Sequence, residues 1–246
     1  MKALEPMKVM KVLRKIRSVG TFWASERTLE HLKAIRTHEL GIVLDMLPLT
    51  GRVLEIGAGT GWQARSLENH GYNVSAIDLT SSEYRVNRVW PVTEYDGKNI
   101  PFEDNTFDIV FSSNVLEHIP HIYEFQKEIH RVLKPNGVAL HVLPSSSWRF
   151  WTNITYPLRS WTIPKAHGEH AGNSLTEIHY FSRRWWARLF RETGWIVVAQ
   201  DSNKLFYTGS SIMDSRLSIS IRRKLSRALG NSCNIFVVRK DKVNSN

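Results

Sequence analysis

The chain has 246 residues, of which 42% are hydrophobic, and this composition suits one α/β domain and argues against a disordered chain. Its formal net charge of +10 favours acidic partners, such as nucleic acid, an anionic membrane surface or an anionic substrate. The single cysteine, Cys233, excludes an internal disulfide and fits a reducing compartment.

Two helices are predicted before the first strand. Residues 7–17 form a short basic amphipathic pattern, and residues 25–47 carry aliphatic side chains at helical spacing. The start lacks the apolar core of a secretory signal, and no run approaches the ~20 apolar residues of a membrane-spanning helix. We therefore expect a cytoplasmic protein with a helical extension over residues 1–47, whose basic start could rest on the inner face of an anionic membrane.

From Gly51 onward, short apolar strands alternate with amphipathic helices. The strands read RVLEIG, YNVSAIDL, WPVTEYD, TFDIVFSSN, GVALHVLPS, WIVVAQDS and CNIFVVRK. The clearest helices read GWQARSLENHG, IYEFQKEIHRVLKPNG and SRRWWARLFRETG. This alternation implies parallel pairing through right-handed crossovers, and a hairpin-like return would make the last strand antiparallel. We predict an α/β fold with a doubly wound, mostly parallel sheet of seven strands.

Residues 144–180 interrupt the alternation. The segment contains three tryptophans, three prolines and three histidines, without clean helical or strand periodicity. We predict that it is a cap inserted between the fifth strand and the next helix, and that it meets the substrate.

A glycine-rich turn follows the first strand in the stretch VLEIGAGTG. Gly57, Gly59 and Gly61 give G-x-G-x-G, which is one position shorter than the G-x-G-x-x-G of dinucleotide-binding folds. The third glycine therefore lies in the turn, where a backbone without Cβ can approach a ligand. Nothing in this spacing requires a pyrophosphate.

Three acidic residues accompany the turn. Glu55 precedes the first glycine, where a carboxylate would repel a pyrophosphate and suits an ammonium group. Asp78 ends the second strand, at the position where an acidic side chain can bind ribose hydroxyls. Asp96 follows the third strand and could accept a hydrogen bond from an exocyclic amine. Together they indicate a ligand with a ribose, an adenine and a cationic tail.

The ordered stretches VLEIGAGTG, AIDLT, YDGKNIPFEDNTFDIVFSSNVLEHI and EIHRVLKPNG resemble the successive motifs of class I S-adenosylmethionine-dependent methyltransferases. The resemblance runs from about residue 50 to residue 143, with a weaker match to residue 200. It implies a Rossmann-like fold and S-adenosyl-L-methionine as cofactor. Position by position it implies a cofactor site made of Glu55, Gly57, Ala58, Gly59, Gly61, Asp78, Leu79, Asp96, Gly97, Asn114 and His118.

The predicted cap supplies candidates for the chemistry. A hydroxyl acceptor must lose a proton, which a histidine or a carboxylate can take. The polar candidates in the cap are His167, Glu169, His170, Glu177, His179 and Tyr180, and we predict His179, His170 and Glu169 as catalytic residues. No cysteine and histidine cluster has structural-zinc spacing, and no metal is predicted.

The sequence does not identify the methyl acceptor. A small-molecule or glycan hydroxyl is our first hypothesis, and a lipid or quinone at a membrane surface is the second. Charge alone suggests a nucleic acid, but SSNVLEH lacks the Asn/Asp-Pro-Pro-aromatic motif of enzymes that methylate base amines. A cofactor-binding regulator without activity is a further alternative, and the sequence leaves the oligomeric state undetermined.

Overall fold

The computed structural model describes residues 31–170, 172–209 and 217–241, so the basic helix predicted over residues 7–17 lies outside the described residues. The helices are α1 (31–46), α2 (Trp62–Asn69), α3 (Ile122–Val132), α4 (Ser146–Ser160), α5 (Glu177–Tyr180), α6 (Arg183–Glu192) and α7 (Ile219–Leu229). The strands are β1 (Arg52–Ile56), β2 (Asn73–Leu79), β3 (Thr93–Tyr95), β4 (Phe107–Ser113), β5 (Leu133–Pro144), β6 (Trp195–Ser202) and β7 (Cys233–Lys240). Two 3₁₀ helices span Glu83–Asn87 and Leu116–His118.

All seven strands form one sheet in the order β3-β2-β1-β4-β5-β7-β6. The pairs from β3 to β5 are parallel, and β7 is antiparallel to both β5 and β6. The predicted doubly wound sheet with an antiparallel last strand is confirmed. The strand order reverses between β1 and β4, so the segments that follow these two strands diverge and leave a crevice, which is where open α/β sheets bind ligands.

Alternate residues of the strands pack against two opposite helical layers. One face carries Leu54, Ile56, Val110 and Phe236 against Phe125 and Ile129 of α3 and Trp186 and Phe190 of α6. The other face carries Val53, Phe111, Leu140 and Ile235 against Leu40, Val43 and Leu47 at α1 and Leu67 of α2. Burial on both faces explains why the strands read as continuous apolar runs rather than alternating patterns.

The predicted irregular cap contains a regular helix, α4. Its N-cap is Ser145, whose Oγ accepts a hydrogen bond from the Trp148 backbone N–H at 3.0 Å, and it ends at Ser160, with Trp161 as the C-cap at φ of 56°. The helical pattern is weak because Pro157 lies inside the helix and Thr152 turns its hydroxyl back to a carbonyl of the preceding turn. Tertiary packing therefore outweighs local propensity here.

The helix predicted through the Pro-Asn-Gly turn is shorter than expected. It ends at Val132, and the chain continues directly as β5, with a register shift between the pairs Phe107–Leu133 and Ile109–Val138. The turn residues therefore belong to a bulged start of the strand. Among the described helices, none has the length and apolar character needed to cross a lipid bilayer.

Candidate functional site

The glycine turn after β1 has the backbone geometry that only glycine adopts readily. The φ angles are 72° at Gly57, 55° at Gly59 and 77° at Gly61. A Cβ on Gly57 would lie 2.3 Å from Val115 Cγ2, and a Cβ on Gly61 would lie 2.6 Å from Trp90 Cβ. The turn thus approaches neighbouring segments more closely than any side chain would allow.

A cavity of about 500 Å³ lies beside this turn, at the carboxyl ends of β1, β2 and β4. Of the residues predicted for the cofactor, the cavity is lined by Gly57, Gly59, Asp78, Leu79, Asp96, Gly97, Asn114 and His118. It is also lined by residues that the sequence did not suggest, among them Tyr84, Tyr95, Lys98 and His121. The fold therefore brings most of the predicted cofactor residues together, and their individual contacts with a cofactor stay predictions.

Asp78 lines the cavity and has one carboxylate oxygen without a hydrogen-bond partner in the part of the chain that the structure describes. Its Oδ1 accepts the Leu79 backbone N–H at 2.9 Å, whereas its buried Oδ2 has no hydrogen-bond partner among the described residues. Buried acceptors are almost always satisfied in folded proteins, so this oxygen points to a ligand donor such as a ribose hydroxyl.

The Asp96 carboxylate stabilises the turn in which it lies by accepting hydrogen bonds from the next residues. Its Oδ1 accepts the backbone N–H groups of Lys98 and Asn99, both at 2.8 Å, and its Oδ2 accepts Asn99 Nδ2 at 2.7 Å. These hydrogen bonds, with the Asn99 N–H first, lower the pKa of Asp96 to about 2. The side chain orders the rim of the cavity and stays ionised, and its contact with an adenine amine remains a prediction.

Three predicted cofactor residues lie behind the cavity rather than in its lining. Gly61 is the N-cap of α2, Ala58 is buried under the turn, and Glu55 is 2% exposed. Burial, reinforced by the negative charge of Asp78, raises the pKa of Glu55 to about 8, against the effect of a hydrogen bond from the Ala64 backbone N–H. Glu55 thus supports the first turn of α2 in its neutral form.

We expect the Glu55→Gln substitution to change how stability depends on pH. The pKa of Glu55 is raised from 4.5 to about 8 in the folded state, so the folded protein binds the extra proton and loses stability as pH rises from 4.5 to 8. The loss is at most about 1.4 kcal/mol per pH unit. Urea unfolding of the cofactor-free protein measures the free energy of unfolding at pH 5 and pH 8. The difference in this free energy between Glu55→Gln and the wild type should shift in favour of the variant from pH 5 to pH 8. The same pH dependence in both proteins would contradict this.

A second cavity, of about 410 Å³, adjoins the first and shares Tyr84, Asn114 and His118 with it. The rest of its lining is His31, Leu32, Ile35, Arg36, Pro144, Trp148, His167, Tyr207, Thr208, Gly209, Ser232 and Cys233. The two cavities meet at the end of β4, where the resemblance places the sulfonium of the cofactor.

Asn114 occupies this junction in the left-handed backbone conformation, which asparagine adopts more readily than most residues. Its φ of 55° is uncommon for a residue other than glycine, and its backbone N–H donates to the Val142 carbonyl at 2.8 Å. With its amide oriented so that Oδ1 faces α1, it accepts from Arg36 Nη1 at 2.6 Å.

Two histidines form one wall of the junction. The ring centroids of His118 and His167 lie 4.6 Å apart, and the tilted ring of Trp148 contacts His167 with centroids 4.9 Å apart. Partial burial lowers the pKa of both histidines, that of His167 to about 4. Both imidazoles are therefore neutral near pH 7 and offer free lone pairs to a ligand.

A buried ion pair fixes the loop that carries His167. Arg149 Nε lies 2.8 Å from Glu177 Oε2, and both side chains are almost fully buried. Glu177 Oε1 accepts the backbone N–H groups of His167 at 2.5 Å and Gly168 at 2.6 Å. The cap loop is thus held to α4 and α5 by charge-assisted hydrogen bonds.

The three residues predicted as catalytic are absent from the cavity linings at the junction, although Glu169 and His170 lie close enough to His118 to affect its pKa. His179 is exposed on α5 beside Tyr180, with ring centroids 5.6 Å apart. His170 packs on Trp185 at 5.5 Å, and Glu169 is exposed, with its backbone N–H bonded to the Glu117 carbonyl. None of the three lines either cavity. Their catalytic role stays a prediction, and the geometry favours His118 and His167.

The sheet order, the glycine turn after β1 and the acidic end of β2 define the class of S-adenosylmethionine-dependent methyltransferases. A family model described as a methyltransferase domain matches residues 25–200, and the chain belongs to this family. The predicted class and its cofactor, S-adenosylmethionine, are confirmed at this level.

Curated relatives share the domain but differ in their named acceptors. A glycine/sarcosine/dimethylglycine N-methyltransferase from Actinopolyspora halophila is 32% identical over 50% of this chain and 22% of its own length. A 2-methyl-6-phytyl-1,4-hydroquinone methyltransferase from Synechocystis sp. is 33% identical over 49% of this chain and 39% of its own. A 24-methylenesterol C-methyltransferase from Arabidopsis thaliana is 30% identical over 44% of this chain and 33% of its own length. The matches span less than two fifths of these relatives.

Solved structures match over nearly the whole chain. A Burkholderia thailandensis 1,6-didemethyltoxoflavin-N1-methyltransferase, solved with S-adenosylhomocysteine, covers 98% of this chain and 93% of its own, with a TM-score of 0.55 and 16% identity. A methyltransferase in complex with the Haloferax volcanii Trm112 activator covers 90% of this chain and 95% of its own, with a TM-score of 0.59 and 17% identity. At such identities these matches establish the fold.

Proposed function

We propose that this protein transfers a methyl group from S-adenosylmethionine to a hydroxyl oxygen of a small-molecule or glycan acceptor. The observation that carries the proposal is the meeting of two cavities at Asn114 and His118. The cavity beside the glycine turn takes the cofactor, and the cavity between α1, α4 and the cap loop takes the acceptor.

The cofactor orientation follows from the unused polar atoms. Asp78 Oδ2 would accept a ribose hydroxyl, and Leu79 and Gly97 would flank the adenine. The methionine part would then run along Gly57 and Gly59, which brings the sulfonium to Asn114. From there the methyl group faces the second cavity.

The chemistry requires alignment more than activation. A sulfonium is a good methyl donor, so holding the acceptor oxygen in line with the sulfur–methyl bond supplies much of the rate, up to about 7–11 kcal/mol. The acceptor hydroxyl also loses its proton during transfer. The neutral imidazoles of His118 and His167 border the same space, so we assign control of that proton to them.

A lipid or quinone acceptor is the second candidate. Two of the relatives named above act, by name, on a phytyl hydroquinone and a sterol. The end of α4 and the following loop also expose Leu158, Trp161 and Ile163, of which Trp161 is 92% exposed. Exposed apolar groups of this kind occur where a protein contacts a membrane interface or another protein. The predicted basic N-terminus would add affinity for anionic lipids to such a membrane contact.

A methyl-transfer screen tests the proposal. Wild-type protein and isotopically labelled S-adenosylmethionine would be incubated with hydroxylated sugars, phenols, quinols in detergent, sterols, amines and RNA. We expect label on a soluble hydroxylated acceptor. His167→Ala should lower turnover by about 10²–10⁴-fold with unchanged affinity for S-adenosylhomocysteine, because it removes a group that acts on the acceptor.

His179→Ala separates the sequence-based candidate from the structural one. Its side chain lies outside both cavities, so we expect a much smaller change in turnover. Transfer only to quinols or sterols would support the lipid alternative instead. A larger loss in His179→Ala than in His167→Ala would overturn the assignment of the proton chemistry.

A further inference from the structure

We propose that Glu117, His118 and His167 form a binding site for a divalent transition-metal cation of the Zn²⁺ type that holds the acceptor oxygen. This inference rests on the proposed hydroxyl methylation and specifies how the histidine wall controls the acceptor. One ligand atom from each of the three side chains lies within 4.8 Å of the other two. The set spans two segments, 117–118 and 167, that meet only through the fold.

Glu117 supplies an independent indication of a missing cation. Its side chain is fully buried, and neither carboxylate oxygen has a hydrogen-bond partner among the described residues. Oε1 lies 3.8 Å from His118 Nε2, which is too long for a hydrogen bond. Arg36 attracts Glu117 through space, but its Nη1 is already paired with Glu39 at 2.6 Å. A buried carboxyl group of this kind is either neutral or paired with a cation, and a metal ion at the histidine pair would supply that cation.

The donor atoms fit a metal ion such as Zn²⁺, which is intermediate between hard and soft and binds both nitrogen and oxygen. Imidazole nitrogen and carboxylate oxygen are ligands of Zn²⁺ at about 2.0–2.2 Å, and three protein ligands with one open position are typical of catalytic zinc sites. The three atoms lie within 4.8 Å of one another, so their longest spacing must close by up to about 1.5 Å for such bonds. The exposed side chains of His118 and His167 are the ones that would move.

The backbone around the three ligands is already fixed. Glu177 Oε1 accepts the backbone N–H of His167, and the Glu117 carbonyl accepts the backbone N–H of Glu169 at 2.9 Å. The buried Arg149 guanidinium in turn holds Glu177 at 2.8 Å. Supporting contacts of this kind are what keep metal ligands in position.

His118 and His167 both line the acceptor cavity, so an open position of the site would be reached from that cavity. An acceptor hydroxyl bound there would release its proton to solvent more readily, because the cation stabilises the oxygen anion. The oxygen then takes the methyl group from the sulfonium as the sulfur–carbon bond breaks. The products are a methyl ether, neutral S-adenosylhomocysteine and one proton.

Cobalt titration of the full-length, chelator-treated protein tests the site without turnover. Co²⁺ in a four- or five-coordinate nitrogen and oxygen environment absorbs visible light, so one equivalent should give a saturable absorption band. We expect Glu117→Gln, His118→Ala and His167→Ala each to weaken Co²⁺ binding by at least about tenfold. His70→Ala is the matched control, because this exposed histidine hydrogen-bonds Ser66 within α2 and its cap.

S-adenosylhomocysteine calorimetry on each variant shows whether the fold is intact. Absence of a saturable band, or binding unchanged in Glu117→Gln with the fold intact, would overturn the metal site. In that case methyl transfer that persists in chelator would leave the proposed function standing, with the histidines acting directly as bases. Stoichiometric Co²⁺ binding without transfer to any hydroxylated acceptor would instead support the metal site and count against the proposed function.

Discussion

The Gly57→Ala variant is expected to lose measurable S-adenosylhomocysteine binding and to be less stable than the wild type by about 1–3 kcal/mol. Gly57 has φ of 72°, and an added Cβ would lie 2.3 Å from Val115 Cγ2 and 2.9 Å from Val115 Cγ1. The turn must shift to relieve this overlap. Since Val115 also lines the cofactor cavity, the shift changes the shape of the site as well as the fold.

Gly41→Ala is the matched control for this experiment. Gly41 lies in α1 with nothing within 4 Å of the position that its Cβ would occupy. Alanine there should stabilise the helix by up to about 1 kcal/mol and leave cofactor binding unchanged. Urea unfolding and calorimetry on both variants provide the comparison. Wild-type affinity in Gly57→Ala would show that the turn does not contact the cofactor.

The second large effect is expected for Asp78→Ala, which should weaken S-adenosylhomocysteine binding by about 10- to 100-fold. A hydrogen bond to a charged carboxylate contributes about 1.5–3 kcal/mol, and 1.4 kcal/mol corresponds to tenfold in affinity. Folding stability should change by less than about 1 kcal/mol. The variant loses the bond to the Leu79 N–H but also removes a buried oxygen that has no hydrogen-bond partner in the described part of the chain.

Asp45→Ala provides the control, because Asp45 is an exposed carboxylate on α1 that lines neither cavity. Calorimetry measures the affinities, and thermal unfolding without ligand measures the stabilities. A fall in affinity that matched a fall in stability would place Asp78 in the fold rather than in the ribose site. Equal affinity in Asp78→Ala and the wild type would remove it from the cofactor site.

The sheet and the cofactor cavity were predictable because their signals are local. Strand patterns, the three glycines and the acidic strand ends each lie in a few consecutive residues, and parallel pairing brings the strand ends together. Gly57, Asp78 and Asn114 belong to three different strands or their ends and reach one cavity for this reason. The resemblance to a known family added the roles, which spacing alone did not provide.

The acceptor side was less predictable because it depends on contacts between distant segments. His118 and His167 are 49 positions apart in the sequence and meet only when the cap loop folds over the 3₁₀ helix at Leu116–His118. The loop in turn depends on the buried pair of Arg149 and Glu177, which looks in sequence like two solvated charges. His179 has the more suggestive local context, yet it lines neither cavity.

The central claim is that the cofactor and the acceptor occupy separate cavities that meet at His118 and Asn114. Single-turnover methyl transfer from preloaded S-adenosylmethionine tests it most directly, with His167→Ala compared with the wild type on the acceptor found in the screen. The account predicts normal cofactor affinity in this variant and a transfer rate at least about 100-fold lower. An unchanged transfer rate, or a parallel loss of cofactor affinity, would contradict it.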